Sequence, residues 1–233
     1  MCRFALVVEA ASDARTATTL ADRVLAEQIE DAVDQQRTWL PALTWTEVAR
    51  LRKAAGRKLH GHFGGEPGLP DAKAARSAMV ELLAANPQPD AIVLIRDLDD
   101  LGSGDRRTGL DQARREHVTH HPDIPVVIGV AIPKREAWIL AGFSPSDAEE
   151  RRALAIEIRR LGRDPTRKPH ELRARTHGAK TDIKAVFAAL AIDVDPELRC
   201  LSEPSLADLR GRGEHTGLPE FLDEVMDQLV PLL

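Results

Sequence analysis

Ala91-Ile92-Val93-Leu94-Ile95-Arg96-Asp97-Leu98-Asp99-Asp100 runs apolar without a break through Ile95 and then turns abruptly to charge; Gly102, Ser103 and Gly104 follow. A half-exposed strand alternates apolar and polar residues, whereas a strand covered on both faces reads as a continuous apolar run. Residues 91–95 therefore predict a buried strand in a parallel sheet flanked by helices. Side chains alternate along an extended chain, which sends Asp97 and Asp99 to one side and Leu98 and Asp100 to the other. In open α/β sheets, ligands gather beyond the carboxyl ends of the strands. The two aspartates mark either such a site or a solvated acidic turn. Their hard oxygens suit Mg²⁺ (or Mn²⁺), and Mg²⁺ takes only one or two protein carboxylates beside waters and substrate phosphates.

Two further runs extend the pattern. Phe4-Ala5-Leu6-Val7-Val8 ends in Glu9, and Pro125-Val126-Val127-Ile128-Gly129-Val130-Ala131 leads into Pro133-Lys134-Arg135-Glu136. Ala17, Leu20, Ala21, Val24, Leu25 and Ile29 recur at helical spacing, predicting a helix over about 12–32. Three buried strands separated by helical patterns give a parallel α/β sheet with right-handed crossovers. Residues 37–40 are a candidate short strand, stopped by Pro41. Thr44 and Glu47 form a capping box ahead of Val48 and Leu51. Asp71 reads as the cap of a helix through Leu83, and the charged stretch 105–118 as an exposed helix. Ser146 with Glu149 reads as a second capping box, ahead of Leu154, Ile158 and Leu161. A helix over 181–190 follows, and a closing helix has the face Phe221, Leu222, Val225, Met226 and Leu229. Residues 56–70 carry five of their positions as glycine and read as a loop. It is no P-loop, since no strand precedes it and no Gly-Lys-Ser/Thr follows. A lid over the site is one role for a loop of that length. The expected division is an α/β domain over 1–143 and a mostly helical, partly basic extension over 144–233.

Composition narrows the function. With 3% aromatic residues and no tyrosine, a stacking platform for single-stranded bases is not the main binding device. A net charge of −5 excludes a uniformly basic coat but not a local patch. Such a patch exists at 151–184, where eleven Lys/Arg stand against four Asp/Glu. Its Arg159, Arg160, Arg163, Arg167, Lys168, Arg173 and Arg175 are either a grip on a phosphate backbone or a solvated face. Cys2 and Cys200 are the only cysteines, so neither a disulfide framework nor a thiolate zinc cluster is expected. His60-Gly61-His62 and His117-Val118-Thr119-His120-His121 lack a companion thiolate or a recognised zinc spacing and read as solvated loops first. The short apolar start closed by Glu9 makes no secretory signal and no run reaches membrane-spanning length, so a cytoplasmic protein is expected.

The order strand-Glu, helix, strand-Asp-x-Asp resembles the TOPRIM domain of topoisomerases, bacterial primases, small RNA-maturation nucleases and overcoming-lysogenization-defect nucleases. Val8-Glu9-Ala10-Ala11-Ser12-Asp13 is similar to the Glu-Gly-x-Ser/Thr-Asp of the last group, with Ala10 where glycine is usual. Glu136-Ala137-Trp138-Ile139-Leu140-Ala141 resembles a phrase found in small stand-alone bacterial TOPRIM-like proteins. The resemblance spans residues 4–142 and implies a TOPRIM-like, Rossmann-like sheet with Mg²⁺ on Asp97 and Asp99. Glu9 would then be a general acid/base or further ligand. Asp13 and Glu136 are further metal candidates or else acids that complement helix starts. Lys134 is a candidate catalytic cation for a transition-state phosphate or an ordinary loop lysine. The implied function is metal-dependent phosphodiester chemistry on DNA or RNA, foremost a nuclease, in phage defence or nucleic-acid processing. A protein partner such as an ATPase is a further expectation. Two other readings stay open. One is a haloacid-dehalogenase-type phosphatase, which shares the strand-Asp-x-Asp but leaves Glu9 without a task. The other is a non-catalytic binding or regulatory subunit.

Overall fold

A computed structural model describes residues 1–29, 36–98, 105–191 and 195–233. The three continuous apolar runs form the strands they predict: β1 (Cys2–Val8), β6 (Ala91–Asp97) and β7 (Val126–Ala131). Between them come β2 (Arg37–Trp39), β3 (Leu43–Thr44) and a small antiparallel hairpin of β4 (His62–Phe63) and β5 (Glu66–Pro67). The main sheet is parallel, in the order β2-β1-β6-β7, with β3 also pairing β1. Phe4, Ala5, Val7, Ala91 to Leu94 and Val126 to Ile128 are wholly buried, which is why those runs show no alternation. Along β1 the register runs Phe4↔Trp39 and then Val7↔Leu43, so one extra residue is taken up between β2 and β3. Pro41, which has no N–H for a ladder, lies in that step.

Among the described residues the helices are α1 (Ala11–Gln28), α2 (Trp45–Ala54), α3 (Pro70–Leu83), α4 (Asp105–His120) and α5 (Glu136–Gly142). They continue with α6 (Ala148–Leu161), α7 (Ile183–Leu190), α8 (Pro196–Ser202), α9 (Leu206–Arg212) and α10 (Leu218–Gln228). The Thr44–Glu47 capping box forms in both directions, with N–H···O distances of 2.7 and 3.2 Å. Several expectations need correction. α1 ends at Gln28, since Ile29 is already extended. The cap position of α3 is Leu69, with Pro70 preset for the first helical turn and Asp71 inside that turn. Asp147, not Ser146, caps α6, by accepting the Glu149 and Glu150 N–H groups at 2.8 Å. Met226 is 37% exposed, whereas Phe221, Leu222, Val225 and Leu229 are buried.

α4 is not a purely exposed helix. Leu110 and Ala113 are fully buried, and a Cβ at Gly109 would meet the Ala72 nitrogen of α3 at 3.0 Å. Contact through such small residues carries little periodic apolar signal, so the charged stretch hides it. The 56–70 segment is also more ordered than a bare loop. Arg76 of α3 is 7% exposed and donates to the His60 and His62 carbonyls. It pairs with Glu116 at 2.6 Å and lies 3.5 Å from the Phe63 ring centroid.

The chain divides into two compact units. The first comprises Met1–Arg96, Gly102–Gly129 and Asp223–Leu233; the second comprises Asp97–Leu101 and Val130–Leu222. The core of the second is Trp138, fully buried, stacked on Phe221 at 5.0 Å and donating its indole N–H to the Thr216 carbonyl.

Candidate functional site

In the first unit, Glu9 follows directly on β1 and meets a network that the sequence did not announce. The Arg96 guanidinium lies 2.7 Å from one Glu9 oxygen and 3.1 Å from Asp71. Arg106 reaches the same two carboxylates at 3.6 and 3.7 Å. Two acids and two guanidinium groups thus alternate, and Arg96 is backed by the Trp45 ring at 4.3 Å. Trp45 in turn donates its indole N–H to the Ile95 carbonyl. Glu9 is a carboxylate held in one orientation by opposite charge, a good acceptor but with its charge already answered. The one available signal was Arg96 itself, a cation inside an otherwise apolar strand before the acids. Asp13 is buried and accepts the Ala10 N–H at 2.8 Å, which makes it the acid that closes the start of α1.

In the second unit, Asp97 ends β6 and its carboxylate accepts the Arg135 backbone N–H at 2.9 Å. The Arg135 side chain, 6% exposed, makes a bidentate pair with Glu197 at 2.6 and 3.0 Å. That fork-to-fork geometry fixes the turn that presents the N–H to Asp97. Glu136, 8% exposed, opens α5. Its Oε1 lies 3.7 Å from Arg135 and 3.8 Å from the Lys184 ammonium, while its Oε2 is buried with no hydrogen-bond partner. A buried carboxylate oxygen left without a donor is costly, and a cation would relieve it. Asp99, the second aspartate of the Asp-x-Asp, lies outside the described residues. Among the described residues, no three His, Cys, Asp or Glu side chains group to hold a metal ion. Asp97 and Glu136 nevertheless offer the hard oxygens and the small ligand count that Mg²⁺ accepts.

Lys134, half-buried just past β7, lines a cavity of about 180 Å³ with Arg173 and Arg175, over Pro133, Leu172 and Ile183. The remainder of the basic segment is largely self-neutralised. Arg160 pairs with Glu157, Arg163 with Glu171 at 2.9 Å, Lys168 with Glu171 at 3.6 Å, and Arg167 with Asp164 at 3.9 Å. Arg159 is exposed. The one segment of sequence therefore holds two kinds of surface, which charge counting could not separate.

The histidine motifs behave differently from the solvated loops expected of them. His60, His117, His120 and His121 line one cavity of about 250 Å³ in the first unit, with Leu59, Met79, Val80 and Leu83. His117 is 5% exposed and its Nε2 lies 2.9 Å from the Ile124 carbonyl.

Comparison with protein-family models, curated proteins and solved structures finds no match to this chain. The fold and site define an α/β protein with a parallel sheet and acidic groups at strand ends. No described helix is long and apolar enough to cross a membrane.

Proposed function

We propose that this protein cleaves phosphodiester bonds in nucleic acid with Mg²⁺ (or Mn²⁺), in phage defence or nucleic-acid processing. Asp97 and Asp99 are the metal ligands, joined by Glu136; Glu9 is the general acid/base, and Lys134 neutralises charge on the scissile phosphate. The observation that carries this reading is the pairing, in one unit, of a strand-end carboxylate with a buried carboxylate whose Oε2 has no hydrogen-bond partner. The resemblance to TOPRIM domains supports it independently. When bound, the metal supplies Lewis-acid polarisation of the phosphate and a more acidic water. The chain supplies position and charge, which is most of what phosphoryl transfer asks of a protein. The Arg135 N–H holds Asp97 in one rotamer, and the Arg135–Glu197 pair holds Arg135. Lys134 places a cation on the wall of the adjoining cavity.

Incubating the purified chain with mixed DNA and RNA, with and without Mg²⁺ or Mn²⁺, tests the reading. Fragments appearing only with metal support it. The network around Glu9 favours one other reading, a binding or regulatory subunit, because the acid/base is already ion-paired with Arg96. Binding without cleavage at any metal concentration would establish that instead.

A further inference from the structure

The cavity bounded by Lys134, Arg173 and Arg175 has a construction unlike the rest of the basic segment. Its cations come from two places in the chain, the turn after β7 and the loop that follows the 3₁₀ turn Pro169–Glu171. The loop is pinned: the Ala174 N–H donates to the Thr181 carbonyl at 3.0 Å. Asp182 accepts the Gly178 N–H at 2.8 Å and the Lys184 N–H at 3.1 Å. Arg173 is further oriented by its own Nε–H, which donates to the His170 carbonyl at 2.6 Å. Ala174 thus holds the backbone from which its two arginine neighbours project. The floor of Pro133, Leu172 and Ile183 is apolar, and no acid stands among the lining residues. A low-dielectric floor under converging cations strengthens their hold on an anion.

Size decides which anion. Pockets for drug-sized ligands run to about 300–1,000 Å³, and this one is about 180 Å³. It admits a phosphate and part of the group it is attached to, not a stacked base or a length of backbone. Guanidinium forks match the oxygens of a phosphate, and three cations suit a dianion better than the single charge of an internal phosphodiester.

We infer that this cavity binds a terminal phosphomonoester, the 5′- or 3′-phosphate end of a nucleic-acid strand. The nucleic-acid source rests on the function proposed above; the phosphomonoester chemistry does not. The pocket would anchor a strand by its end, while the self-paired face of Arg160, Arg163 and Lys168 carries no such selectivity.

The test is binding in EDTA, so that cleavage plays no part. Fluorescence anisotropy compares one labelled oligonucleotide with a 5′-phosphate, a 3′-phosphate or neither, in competition with inorganic phosphate and with a nucleoside monophosphate. The wild type is set against Arg173→Ala/Arg175→Ala and against Arg173→Lys/Arg175→Lys, each checked for an unchanged melting temperature. One phosphorylated end should bind about tenfold tighter than the unphosphorylated strand, and inorganic phosphate should compete. The alanine pair should lose that preference, and the lysine pair should keep part of it. Equal affinity for all three strands in the wild type would overturn the inference while leaving nucleic-acid binding standing. Binding of the mononucleotide but of no oligonucleotide, sensitive to the same substitutions, would keep the phosphomonoester pocket and overturn the nucleic-acid source.

Discussion

Glu9 shows how a single residue can be poised and restrained together. Its carboxylate sits 2.7 Å from Arg96, so its charge is both what holds it and what it would use. Glu9→Gln keeps the shape and removes the charge and basicity. The expected result is loss of turnover with substrate affinity retained, read from single-turnover cleavage beside equilibrium binding; normal turnover would remove Glu9 from the chemistry. His117 is restrained by a different means. Burial, with smaller contributions from His121 and His120, holds its imidazole below the ordinary value of 6.5, against the opposing hydrogen bond to the Ile124 carbonyl. The unfolded chain takes up a proton near 6.5 that the folded chain accepts only at lower pH. Stability is therefore full above that pH and falls as pH drops below it, levelling only beneath the folded value. His170 is lowered by burial in the same direction, so it contributes to the same acid-side loss. His117→Gln, which keeps an N–H donor, should flatten the decline in melting temperature from pH 7 to 5; an unchanged slope would show that His117 takes no part.

At the scale of elements, the hairpin β4–β5 depends on one side chain from outside it. Arg76 meets two carbonyls, Glu116 and the Phe63 ring from a nearly buried position. Removing one partner of a buried ion pair costs about 3–5 kcal/mol. Arg76→Ala should lower stability on that order and release hydrogen-exchange protection across residues 61–68 before the sheet; unaltered protection there would mean that the hairpin holds itself. The sequence announced the sheet and not this latch, for a physical reason. β1, β6 and β7 are each buried on both faces and declare themselves as unbroken apolar runs. The hairpin is four paired residues, too short to show alternation. β2 and β3 are interrupted at Pro41 and gain their register from β1. Asp97 was legible because it ends such a run. The Arg96–Glu9 pair was not, because its members are 87 residues apart in sequence and only the strand pairing brings them together. Glu136 was legible as a candidate by its place after β7, but its buried, partnerless oxygen appears only once α5 is packed.

Across the whole molecule, a chain of net charge −5 concentrates its cations in one segment and then spends most of them on its own acids. What remains for a polyanion is local, which suits a protein that handles a phosphate at a defined place rather than coating a duplex. That economy has meaning only if the strand-end acids work with a metal. The direct measurement is cleavage of labelled DNA and RNA by the wild type and by Asp97→Asn, in Mg²⁺, Mn²⁺ and EDTA, at matched folded fraction. The variant loses a carboxylate charge and keeps its shape, so its melting temperature should hold or rise. Its metal-dependent rate should fall at least about a hundredfold, beyond what loss of an outer-shell partner costs. Cleavage by Asp97→Asn at the wild-type rate, or wild-type cleavage that persists in EDTA, would contradict the metal-centred account.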